Sequence, residues 1–142
     1  MDLRGARRNM STKELWKLPV SSTALVEEPA LTKLPRRHYA LSLKWEGDGD
    51  EIVGATIDFV DVEAYRVTHL YSLTDEMIRT AYDRLVEFAA SDWLASSTLV
   101  HRRPAGVRLR HARICFDDGP CYEFLCADVH VRSGANTGNT IL

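Results

Sequence analysis

Apolar and polar positions alternate from Tyr39 to Trp45. Tyr39, Leu41, Leu43 and Trp45 share one side, and Ala40, Ser42 and Lys44 the other. A period of two is that of a half-buried strand. The polar EGDGDE at 46–51 reads as a glycine-containing connection, and ATIDFVDVEAYRV at 55–67 as a second strand. Its phase slips at Phe59-Val60: Ile57 and Phe59 point one way, then Val60 and Val62 take over. A β-bulge there keeps these apolar residues on one face and gathers Asp58, Asp61 and Glu63 on the other.

From Thr74 the spacing becomes helical. Thr74 suits an N-cap, and Asp75 and Glu76 suit the positive end of a helix. Ile78, Ala81, Tyr82, Leu85, Phe88 and Ala89 form one apolar stripe, which predicts a helix over about 75–90. Upstream, Ser11-Thr12-Lys13-Glu14 has the form of a capping box for a short helix that Pro19 ends after about two turns. Residues 20–37, with Pro29 and Pro35, read as linker, and residues 95–106 as a loop. The expected organisation is an N-terminal extension over 1–37, one domain over 38–132 and a flexible tail over 133–142.

The stretch FDDGPCYEFLC, 116–126, lies between two strand-like runs. Taking Asp117-Asp118-Gly119 as a three-residue loop places Ile114 opposite Tyr122, Ala112 opposite Phe124, and Arg113 opposite Glu123. A two-residue turn at Asp118-Gly119 would set Ile114 against Glu123 and Arg113 against Phe124, so the longer loop is preferred. The acids of this stretch are then turn formers. The fold class that follows is α+β: a mainly antiparallel sheet of two hairpins with one long helix packed on one face.

The hairpin also bears on metal chemistry. Cys126 and His130 are separated by roughly 13 Å along a strand, too far to share a zinc ion, and no C-x-x-C or H-x-x-x-H spacing occurs. Neither metal nor cofactor is expected. Cys115 and Cys121 face each other, but with no secretory signal visible, reduced thiols are expected. The five histidines sit beside no nucleophile motif, and G-x-S-x-G, H-E-x-x-H and P-loop patterns are missing. Catalytic residues are therefore not assigned, although a triad assembled from distant positions such as His69 and Cys126 stays open.

Composition adds little until charge is mapped. The 142 residues are 45% hydrophobic and 27% charged, as expected of one globular domain. No apolar run reaches the roughly 20 residues of a membrane span, so a cytoplasmic protein is expected. Charge is uneven: residues 39–100 carry twelve Asp/Glu against four Lys/Arg. The arginines of HRRPAGVRLRH, 101–111, lack interleaved aromatics, so pairing with the acidic second strand is expected rather than nucleic-acid binding.

The phrases IDFVDVEAYRVTHLYSLTDEMIRTAYDRLVEF and RHARICFDDGPCYEFLCADVHV lie within 39–131, a region that resembles small bacterial proteins, some of them immunity proteins encoded beside polymorphic toxins. The resemblance implies a non-enzymatic module that binds and blocks a cognate toxin, and it transfers no catalytic residue. The acidic distribution points to a basic protein partner met by Asp48, Asp50, Glu51, Asp58, Asp61 and Glu63. Self-association stays open. The alternative is an enzyme or small-ligand binder with a pocket between helix and sheet.

Overall fold

A computed structural model of the chain describes residues 11–97, 108–133 and 139–141. These residues form one antiparallel sheet of eight strands. The strands are β1 (Thr12–Lys17), β2 (Ala30–Leu34), β3 (His38–Glu46), β4 (Ile52–Thr68), β5 (Arg84–Phe88), β6 (Arg110–Cys115), β7 (Cys121–Ser133) and β8 (Asn139–Ile141). Their spatial order is β1-β5-β6-β7-β4-β3-β2, with β8 pairing with β7. Helices are short: α1 (Asp75–Ala81) and α2 (Asp92–Ser96), beside three 3-10 turns.

The expected architecture of two hairpins under one long helix is therefore wrong. The helix begins as predicted, with the Thr74 hydroxyl accepting from the Met77 N–H, but it ends at Ala81. Tyr82 is already extended and Asp83 has a φ of 56°, outside the helical region. Arg84 then turns back to donate to the Thr80 and Arg79 carbonyls, satisfying groups the helix end leaves free. The second half of the apolar stripe is β5, which lies between β1 and β6. Leu85, Val86 and Phe88 are each at most 2% exposed, Leu85 in one core and Val86 and Phe88 in the other. A helix buries one stripe of these residues, whereas a central strand buries both of its sides and satisfies its backbone through two neighbours.

The short helix expected after Ser11 is a strand for a related reason. Pro19 leaves too few residues for a stable helix, while the free edge of β5 offers β1 a partner, with Thr12 opposite Phe88 and Lys17 opposite Arg84. The supposed linker contains β2, joined to β3 through Arg36 and Arg37, both at positive φ. Of the expected tail, residues 139–141 form β8, and residues 134–138 and 142 lie outside the described residues.

Both faces of the sheet are covered. The main core contains Leu41, Leu43, Ile57, Phe59, Leu85, Ile114, Phe124 and Val129, with Phe59 stacked on Phe124 at 3.8 Å between ring centres. The chain between β1 and β2 crosses this face as a strap. The Leu18 N–H donates to Asp83 O, the Ser22 hydroxyl accepts from the Asp117 N–H, and the Val26 N–H donates to Lys44 O. Leu18 is buried in the core beneath it, and Val20 and Leu25 pack against that core. The opposite face carries α1 over Val86, Phe88, Cys115 and Cys121.

The β6–β7 hairpin has the register expected from its sequence, including Ile114 opposite Tyr122 and Arg113 opposite Glu123. Gly119, at φ 72°, closes the turn, where its N–H donates to Phe116 O. Cys115 and Cys121 are register partners with Cα atoms 4.0 Å apart, and their sulfurs are bonded. That corrects the expectation of reduced thiols: the antiparallel register brings both side chains to the same spot on one face.

Candidate protein-binding surface

The structure does not bring the six candidate acids together. The break in β4 falls between Val62 and Ala64, not at Phe59-Val60, and Asp61 takes a φ of 56° there. The Val62 N–H donates to the Arg37 carbonyl, so the β2–β3 turn supports the bulge. Arg37 also pairs with Asp61, and lies 3.5 Å from Glu63. Asp58 is only 5% exposed. Both of its oxygens accept from Arg132, at 2.6 and 3.1 Å, and His38 Nε2 lies 2.9 Å from Oδ1. Burial alone would raise the Asp58 carboxyl, but the Arg132 and His38 interactions outweigh it and hold it below its ordinary value. These three acids work inside the fold.

Asp48, Asp50 and Glu51 are different. They occupy the 3-10 turn and its end at the β3–β4 tip, all exposed, and Glu46 beside them is exposed too. None of the three has an ion pair among the described residues. Gly49 and Asp50, at φ 72° and 67°, make the reversal that projects these side chains outward. The nearest lysine of β3, Lys44, is engaged with Glu27 at 3.9 Å. Ile52, opposite Glu46 at the start of β4, is 55% exposed. From Glu51 the strand runs seven residues to Asp58, roughly 23 Å, and ten to Asp61, roughly 33 Å. Screening in physiological salt acts over about 8 Å, so the acids do not make one field.

The most densely linked polar group was not identified as such from the sequence. Glu123 is fully buried, and its carboxylate receives Arg66, Arg113 and His111 at 2.9 to 3.1 Å. His111 Nδ1 lies 2.7 Å from the Ser91 oxygen, and Arg113 continues to Glu76 and Thr80 on α1. Burial alone would raise the Glu123 carboxyl; hydrogen bonds from His111 and Arg66 and the charge of Arg113 instead hold it at about 2. The ionised carboxylate fixes the tautomer: Nε2–H donates to Glu123, and Nδ1 accepts from the Ser91 hydroxyl. Burial holds the His111 imidazole below its ordinary value, against the pull of Glu123.

A serine, a neutral histidine and a carboxylate in that order are the components of an acyl-transfer relay. Here they are enclosed. Ser91 and His111 are 8% and 2% exposed, and the Ser91 oxygen already accepts from the Leu94 N–H as the cap of α2. The imidazole is stacked on Phe88 at 4.5 Å and meets the edge of Trp93 at 5.2 Å. Arg66 lies over the Trp93 ring at 4.1 Å. The group joins β4, β6 and β7 to α1 and α2. Part of it was legible: Arg113 opposite Glu123 followed from the hairpin register, and His111 shares their parity. Ser91, Arg66 and Trp93 come from other elements, and only the folded sheet assembles them.

The remaining sequence candidates also find places. Arg110 donates to Glu87 at 2.6 Å and lies 3.9 Å from Asp128, and Arg108 lies 3.8 Å from Glu87, so these contacts join the arginines to β5 and β7. Residues 101–107 of the same segment lie outside the described residues. The Cys126 thiol is buried and pushed up to about 12, which disfavours the thiolate a nucleophile needs. His69 is exposed just beyond Thr68, where the β4–β7 pairing ends, whereas Cys126 lies within that pairing, opposite Val62. Among the described residues, no cluster of three or more His, Cys, Asp or Glu is arranged to hold a metal ion, and no helix is long and apolar enough to cross a membrane. Comparison of the chain with protein-family models, curated proteins and solved structures finds no match.

Proposed function

We propose that the protein is a non-enzymatic binding module for a basic protein partner, met at the β3–β4 tip. The observation that carries this reading is the exposure, side by side and without ion pairs among the described residues, of Asp48, Asp50 and Glu51 next to the exposed Ile52. Charges left unpaired at a projecting turn attract an opposite charge from a distance, and an adjacent apolar side chain supplies area that binding can desolvate. Asp61 and Glu63, which share Arg37, and Asp58, which is buried, are assigned to the fold instead. The resemblance to immunity proteins narrows the partner class to a basic toxin that the module blocks.

The test is kinetic. Asp48→Asn, Asp50→Asn and Glu51→Gln together preserve shape and remove the charge. Association with a basic protein recovered from the native host should slow at low salt by about tenfold or more and lose most of its salt dependence, with the melting temperature unchanged. Asp61→Asn with Glu63→Gln should leave the rate nearly intact. An unchanged rate in the tip variant overturns the reading.

A further inference from the structure

A second exposed surface lies at the other end of β4 from the acidic tip. β4 begins at Ile52 beside that tip and ends at Thr68, next to the 3-10 turn Leu70–Ser72. Tyr71 in this turn is 98% exposed and Leu70 is 43% exposed. The turn lies against the β6–β7 hairpin: a Cβ added at Gly119 would come within 3.2 Å of the Leu70 nitrogen. Tyr82 reaches the same hairpin from the α1 side, with its hydroxyl donating to Asp117 at 3.1 Å. Leu70 and Tyr82 therefore flank one hairpin turn.

The outer stripe of α1 completes the surface. Asp75, Ile78 and Arg79 are exposed at positions i, i+3 and i+4, which line one side of α1, and the exposed Tyr82 follows at its C-terminal cap. An isolated soluble domain seldom leaves an aliphatic and two aromatic side chains open around one short helix without use. The charges on this stripe differ in kind from those of the β3–β4 tip. Asp75 and Arg79 have opposite signs, lie one turn apart and make no side-chain bond with each other or with another described residue.

We infer that this face binds a second copy of the chain, with α1 packed antiparallel on α1 about a two-fold axis. Such an axis passes near Met77 and Ile78, sets Asp75 of each chain beside Arg79 of the other, and brings Ile78 against Ile78 at the centre. An isologous contact needs a surface complementary to itself, which a stripe carrying both signs provides and a uniformly acidic one does not. Tyr71 and Tyr82 border it. Both β3–β4 tips stay free, so the inference stands whether or not those tips bind a basic partner.

Sedimentation equilibrium on the full chain, from about 1 µM to about 1 mM, spans the range in which a contact of this small size associates. A reversible dimer is expected. Ile78→Asp should yield a monomer throughout, with an unchanged melting temperature showing that the fold persists. Asp75→Arg and Arg79→Asp singly should each weaken the dimer by about tenfold, and the two together should restore it, because opposite signs again face each other. A monomer at every concentration overturns the inference. A dimer indifferent to Ile78→Asp overturns its assignment to this face, and failure of the double reversal to recover affinity overturns the antiparallel pairing.

Discussion

Glu123 illustrates how one residue acquires its role. A carboxylate with no exposed surface is costly unless every charge is answered, and here two arginines and an imidazole answer it. Glu123→Ala would remove the buried carboxylate that His111 and Arg113 share, leaving Arg113 only Glu76 and Thr80, and should cost about 3 to 5 kcal/mol in urea unfolding. Arg66→Ala removes a half-exposed member and should cost under about 1 kcal/mol. The carboxyl also sets an acid limit. Because its folded value lies below its ordinary one, Glu123 stabilises the fold fully above about pH 4.5, and that stability is lost as pH falls towards 2. A depression from 4.5 to about 2 corresponds to on the order of 3 kcal/mol. In Glu123→Gln the loss of stability between pH 5 and 2 should be smaller by about that amount. Parallel pH curves for the two proteins would contradict this account.

At the scale of elements, the residues from Arg84 to Phe88 are decisive. Leu85→Ala should cost about 2 to 5 kcal/mol, since Leu85 is fully buried in the main core. Backbone chemical shifts over 84–88 should be those of a strand, and helical shifts there would refute the sheet order. The β6–β7 hairpin carries its own test. With Cys115 joined to Cys121, thiol titration in denaturant should find one reactive thiol per chain, from Cys126, and three after reduction. Closing so short a loop contributes about 2 kcal/mol on chain-entropy grounds, so reductant should lower the melting temperature. Three thiols before reduction would contradict the pairing.

At the scale of the molecule, the sheet is stabilised from both sides but unevenly along its width. β5, β6, β7, β4 and β3 each lie between two neighbours, whereas β1 and β2 are edges with a partner on one side. Amide exchange should be slowest in β6 and the middle of β7 and fastest in β1 and β2, because local opening follows the number of contacts that must break. The strap from Leu18 to Val26 links one edge region to the other across the main core. Cutting the chain within it should loosen β1 and β2 together. The two surfaces argued for binding sit beyond opposite ends of β4, so their variants should act independently.

Local pattern was sufficient wherever a segment's neighbours are close in sequence. The alternation at 39–45, the cap at Thr74 and the register of 110–126 were legible because adjacent strands or the first helical turn determine them. The Asp117-Asp118-Gly119 loop allows one register that keeps Ile114, Tyr122, Ala112 and Phe124 on the core side, and that register was found. The stripe from Ile78 to Ala89 was misleading because Leu85 and Phe88 fit a period of 3.6 almost as well as they fit a strand buried on both faces. The choice depended on β1 and β6, which lie about 70 residues before and 25 after. The candidate surface divided in the same way. Sequence alone determined that acids concentrate in the middle of the chain, and that the β3–β4 connection exposes three of them. Only the tertiary structure decided that Asp58, Asp61 and Glu63 are occupied, because their partners Arg132 and Arg37 arrive from β7 and the β2–β3 turn. Charge is a property of the residue, but whether it remains available to a partner depends on what the fold places within a few ångströms of it.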